Sequence, residues 1–244
     1  MQEPSHLFFD ELASIFSYER LNGYLHLHSN YDKEAALAAY SWNIELSQSL
    51  YPALQVLEIG LRNSLHQAIS MYYDTDYWFE LDFLHEREHK QILKAKGDLA
   101  KEKMQADPCR IVSGLSFGFW TSLFDVRYEH RQVLWPKLLK PVFPCLAKSQ
   151  RTRTFLSREL NKIRFLRNRI FHYEPIWHWK DLIEHHRSIL TLVTGLSQSG
   201  AKYLISLDSF EKIYNEKKYL FQDAPVISML PEENLNNKLY DVVT

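Results

Sequence analysis

Glycine is scarce in this chain, with seven in 244 residues, and none falls in a G-x-G-x-x-G or G-x-x-x-x-G-K pattern. A glycine-built phosphate cradle, and with it a P-loop or dinucleotide fold, is therefore not supported. So few glycines also suit helices better than a turn-rich sheet. Cysteine is scarcer still. Cys109 and Cys145 are the only two, too few for a disulfide framework, and neither has a sequence-adjacent histidine to act as its base. A reducing cytoplasm is the expected location. No apolar run reaches the length needed to cross a bilayer, so no membrane association is expected. The opening MQEPSHLFFDEL has neither the basic region nor the small-residue cleavage site of a signal peptide.

A strong net charge is missing too, the formal value being −1. The distribution is uneven, however. Between Arg131 and Arg169 there are eleven Lys or Arg and one acid, Glu159, a balance of +10 that leaves −11 for the rest. Either this segment turns one basic face towards a polyanion, or acidic helices elsewhere neutralise it. With 45% apolar and 14% aromatic residues, the chain has the composition of a globular protein with a sizeable core.

Apolar periodicity places helices along most of the length. Ser5 begins one that carries Phe8, Leu12, Ile15 and Phe16 and ends near Gly23. Asp32 caps a second, about 33–49, with Leu37, Tyr40 and Ile44 on one face. Pro52 opens a third, whose stripe is Leu54, Leu57, Leu61, Leu65, Ala68 and Tyr72. A charged helix follows from Leu84 to Met104, broken by Asp107-Pro108. Gly114 and Gly118 bracket a loop into a helix ending at Val126. There Phe117, Phe119 and Trp120 read as core, with a base-stacking platform as the alternative. Three prolines make 135–146 an irregular connector with a short helix. Further helices run from Thr152 to His172, from Trp179 to a stop at Gly195 or Gly200, and over 209–220. The second of these folds back antiparallel on the first. Gln222–Thr244 reads as a tail or partner-binding segment.

The most informative stretch is Leu166–Trp177, LRNRIFHYEPIW. Leu156, Leu160, Ile163, Arg167 and Ile170 recur at helical spacing, which puts a guanidinium inside an apolar stripe, where it needs a partner. Asn168 and His172 stand at i,i+4 and share a face. Pro175 closes the helix just beyond His172, so that the imidazole lies in the last turn, where the helix dipole favours its protonated form. An arginine, an amide and an imidazole at one helix end suit a phosphate. On the third helix Glu58 lies within the apolar sector and wants a cation. Arg62 at i,i+4 and Arg167 on another helix both qualify.

These residues carry a resemblance. RNRIFH fits the R-x4–6-H motif of the HEPN superfamily, and LRNRIFHYEPIW resembles its Abi-like (abortive infection) branch. AYSWN at Ala39–Asn43, LEIGLRN at Leu57–Asn63 and LSFGFW at Leu115–Trp120 extend it, so that it covers more than half of the chain. The resemblance implies an all-α bundle of HEPN type with additional N-terminal helices over 1–205, then a C-terminal helix and tail over 206–244. It implies a metal-independent, cofactor-free RNA endonuclease acting as a toxin or effector in antiphage defence. Arg167, Asn168 and His172 would be catalytic, supported by Glu58 and Arg62. Arg158, Lys162, Arg164 and Arg169 would hold the RNA backbone. A homodimer with a composite site, and an antitoxin or other regulatory partner, are further implications. The alternative is a non-catalytic HEPN module that binds RNA, a nucleotide or a protein.

One competing motif stands apart. His85–His89 spells HEREH, the H-E-x-x-H spacing of a zinc hydrolase. Arg87, Lys90, Lys94 and Lys96 around it describe a solvated helix face, so no metal site is assigned. His26, His28 and His185 lack a companion ligand set, and His186 falls on an apolar stripe as a core histidine.

Overall fold

The computed structural model describes residues 5–25 and 32–217. Every regular element among them is helical: α1 (Ser5–Phe16), α2 (Tyr18–Leu25), α3 (Lys33–Tyr73), α4 (Glu86–Lys101), α5 (Pro108–Gly114), α6 (Phe117–Ser122), α7 (Leu139–Val142), α8 (Arg153–Phe171), α9 (Leu182–Leu196), α10 (Gln198–Leu207) and α11 (Phe210–Lys217). The fold is all-α. None of these helices is long and apolar enough to cross a membrane. The tail from Gln222, His26 and His28 lie outside the described residues.

The chain divides into two compact units. The first contains α1, α2, residues 33–46 of α3 and most of α11. Here the helix expected to run to Gly23 breaks at Ser17, whose φ of 75° is left-handed, and Gly23 sits inside α2. The buried face is also displaced by one position. Phe9 and Ala13 are inside, while Phe8 and Ile15 are exposed. Lys33 makes the difference intelligible, since it pairs with Asp10 at 2.8 Å and lies over the Phe9 ring. Asp32 caps α3 as expected, its carboxylate accepting from the Glu34 and Ala35 amides. Residues 37, 40 and 44 are not the buried face, however. Ala36, Ala39 and Trp42 are.

The second unit, residues 47–211, holds the candidate site. Pro52 does not start a helix but sits inside α3. A proline within a helix removes one backbone bond and costs about 3 kcal/mol. Burial on both sides offsets that: Leu50, Ala53, Leu54, Leu57, Leu61 and Leu65 are all inside, each leucine contributing about 1.5–3 kcal/mol. Tyr72, expected on this stripe, is exposed instead.

Asp107-Pro108 both ends one helix and begins another, since Asp107 accepts the Arg110 amide at the start of α5. Phe117, Phe119 and Trp120 are buried with Trp78 and Trp135, as core residues and not as a stacking platform. α6 packs on α8, and α8 on α9. The α8–α9 pair is antiparallel: Phe165 stacks on Trp179 at 5.6 Å, and further up Glu159 accepts from Ser188 at 2.9 Å. Trp179 precedes α9 rather than opening it. Neither Gly195 nor Gly200 stops that helix. Gly195 is buried within it, where a Cβ would lie 3.1 Å from Leu146, and Ser197 starts the separate helix α10, which holds Gly200.

Candidate functional site

α8 is built as its sequence suggests. Thr152 caps it through the Phe155 amide, and His172 is its last half-helical residue. The end is a Schellman turn: Tyr173 N–H donates to Ile170 O and Glu174 N–H to Arg169 O. The left-handed position, usually glycine, is taken by Tyr173 at φ 58°, a strain of about 1 kcal/mol or more. Pro175 follows and prevents continuation.

Leu156, Leu160, Ile163, Leu166 and Ile170 fill the buried face of α8, and Arg167 stands at its edge, half-buried. Its Nε lies 3.4 Å from Glu58 Oε2 on α3. That is ion-pair distance without hydrogen-bond alignment, and Arg167 Nε has no hydrogen-bond partner although it is buried. The guanidinium also rests 4.2 Å from the centre of the Phe171 ring. Arg62 does not take Glu58. Its Nε donates to Asn63 at 3.1 Å, so the local i,i+4 pair gives way to the one between helices.

Beside this pair a cleft of about 190 Å³ opens, lined by Tyr51, Leu54, Gln55, Glu58, Ile59, Arg62 and Phe171. Tyr51 and Phe171 are both exposed, with ring centres 6.3 Å apart. Sequence reasoning missed Tyr51, Gln55 and Phe171. A signal existed: positions 51, 55, 58 and 62 form a second stripe at helical spacing beside the leucines, and Phe171 follows Arg167 by four.

His172 is exposed, and its ring has no hydrogen-bond partner among the described residues. Asn168 is half-buried, and its carbonyl accepts the His172 amide at 2.9 Å. Arg167 and His172, five residues apart, project about 140° from each other on helix geometry. One chain thus directs its arginine to α3 and its imidazole to solvent.

The remaining basic residues divide. Arg158 and Lys162 converge on Glu159, at 2.7 and 3.6 Å. Arg169 braces the turn, with Nη2 on Pro175 O at 3.2 Å and Nε 3.3 Å from Glu174. Arg164 donates to Asn161 and has no acid partner among the described residues. Burial, and then the charge of Arg87, hold its pKa below the ordinary arginine value. The basic segment is therefore neutralised in part: among the described residues Arg164, like Arg131, Lys148 and Arg151, has no acidic partner, while Lys137 and Lys140 donate to Tyr72 Oη and Pro144 O.

HEREH is solvated as its composition suggested except at one position: His85, Glu86 and Arg87 are exposed and His89 is half-buried. Glu88 is fully buried, accepting from Tyr128, Ser122 and Arg127, while His85 lies just before α4 as its cap residue. Among the described residues no three metal-ligating side chains assemble into a group.

No protein-family model, curated protein or solved structure matches this chain.

Proposed function

We propose that the chain is an HEPN-type, Abi-like endoribonuclease that needs no metal, acting in the cytoplasm as the toxin or effector of an abortive-infection response. The observation that carries this reading is Arg167, held by Glu58 from the facing helix beside an open cleft, with His172 accessible one turn on. In the reaction, His172 takes the proton of a ribose 2′-OH as the oxygen attacks the adjacent phosphorus. The bond to the 5′-oxygen breaks, leaving a 2′,3′-cyclic phosphate, and the departing oxygen receives a proton from an imidazolium. Arg167 stabilises the charge that builds on the phosphoryl oxygens. Because arginine and imidazole diverge within one chain, a second copy completes the site, with Asn168 and Arg164 holding the RNA backbone.

A second reading, a non-catalytic module that binds RNA, a nucleotide or a protein, is favoured by one observation: nothing among the described residues orients the His172 ring. A base normally has a group fixing its tautomer. One experiment separates the two. Purified protein is incubated with mixed RNAs in EDTA, alongside Arg167→Ala and His172→Ala. Cleavage by the native chain, lost in both variants, supports the nuclease. Binding without cleavage supports the module.

A further inference from the structure

We infer that the cleft between α3 and the end of α8 seats one unpaired nucleobase that bears an amino group, beside the phosphate gripped by Arg167. This rests on the endoribonuclease reading for the identity of the polymer, and on the cleft for the rest.

Size comes first. At about 190 Å³ the cleft is smaller than the roughly 300–1,000 Å³ of sites that take whole cofactors or drug-sized ligands. One planar ring system fits such a space. A duplex does not, because its bases are stacked and turned inward.

Chemistry comes second. Tyr51 and Phe171 present aromatic surface to solvent side by side at the cleft, their ring centres 6.3 Å apart. An unstacked base covers such surface, and the gain is indifferent to base identity. Arg167 lies over Phe171, so a base seated there places its own phosphate within the reach of the guanidinium.

The polar groups supply selectivity. Glu58 lines the cleft as an acceptor only. Oε2 faces Arg167, and Oε1 accepts no hydrogen bond among the described residues. An exocyclic amino group, as on adenine, cytosine or guanine, satisfies that oxygen. Uracil has no amino group and offers only its N3–H, flanked by two carbonyl oxygens that the carboxylate repels, so it is held less well. Gln55, with one acceptor and two donors, complements the neighbouring edge atom whichever amino-bearing base is present. Arg62 also lines the cleft and offers a cation for the next phosphate.

The test uses the full chain and fluorescein-labelled decamers of A, C or U that are 2′-O-methylated, so that no 2′-OH is free to attack, with binding read by anisotropy and cleavage read separately on unmodified RNA. The A and C decamers are expected to bind about tenfold or more tighter than U. Tyr51→Ala and Phe171→Ala should each weaken the A decamer about tenfold, whereas Tyr51→Phe retains it. Glu58→Gln should bring the A-to-U ratio near one. Melting curves confirm that each variant is folded. Equal binding of A and U by the native chain overturns the inference, as does unchanged binding by folded Tyr51→Ala and Phe171→Ala. Concentration-dependent dimerisation lost in Tyr51→Ala, with RNA binding intact, overturns it in favour of a second copy covering the cleft. Cleavage lost only in the Arg167 and His172 variants sinks the subsite and keeps the nuclease. Tyr51-dependent, amino-selective binding without cleavage does the reverse.

Discussion

Two glutamates on neighbouring helices of the second unit answer the same sequence problem in opposite ways. Glu88 on α4 and Glu58 on α3 each interrupt a helical face with a carboxylate. Glu88 is sealed from solvent and accepts from the Tyr128 hydroxyl at 2.9 Å, Ser122 Oγ at 2.8 Å and Arg127 Nη2 at 3.4 Å. Burial, and then the Glu88 charge, push the Tyr128 phenol far above its ordinary pKa. Glu58 keeps about a quarter of its side chain exposed and faces one arginine across 3.4 Å, without an aligned hydrogen bond. A saturated carboxylate in the interior braces the fold. The Glu58–Arg167 pair at the open cleft leaves hydrogen-bonding capacity unused among the described residues.

That contrast can be broken by measurement. The largest effect is expected for Glu88→Ala, which strands Tyr128 and Arg127. Stability should fall by about 3–5 kcal/mol, read as a drop of roughly 10 °C or more in thermal unfolding. Arg167→Ala should do the converse: RNA cleavage falls about 10²–10³-fold while the melting temperature moves only a few degrees. A large loss of stability there would make Arg167 a second Glu88 and remove the distinction.

Acid should sharpen it further. His66, His178, His185 and His186 all titrate below the ordinary value of 6.5, burial being the largest cause in each. The unfolded chain therefore takes up protons first as pH falls. The stability held by these neutral rings is complete above about 6.5 and declines below it, through the lower folded values. Melting temperatures at pH 7.5 and 5.5 check this, and a flat profile would contradict it. The smallest effect is expected for Arg62→Ala. Its one recorded bond is to adjacent Asn63, so the melting temperature should stay within about 2 °C while RNA binding weakens about tenfold or less.

Much of the helical plan was legible because periodicity and caps are local. Asp32, Thr152 and Pro175 mark helix limits with their own side chains or ring, and the structure places them there. The errors have equally local causes. Pro52 carries a strong start signal, yet leucines on both sides of it are buried, and their combined burial outweighs one lost backbone bond. α10 is hidden because Gly195 and Gly200, which read as a stop, lie either side of Ser197, the single residue that separates it from α9. In the first unit the buried face of α1 was misjudged by one position, since Phe8 and Phe9 are equally apolar and only packing chooses between them.

The candidate site divides along the same line. That Arg167 needed a carboxylate, and that His172 would close its helix, followed from spacing and from Pro175. Which carboxylate it would meet did not follow. Glu58 and Arg62 are as well placed for each other on α3 as any pair at i,i+4. The residues at positions 166–177 thus determined a helix, its end and the functional groups near that end. The packing of α8 against α3 decided that Arg167 would reach Glu58 and that Tyr51 and Phe171 would border one cleft. The reason is physical: helical periodicity specifies which way a side chain leaves its own axis, whereas the partner of a long, flexible ion is set by what the neighbouring axis brings within a few ångströms.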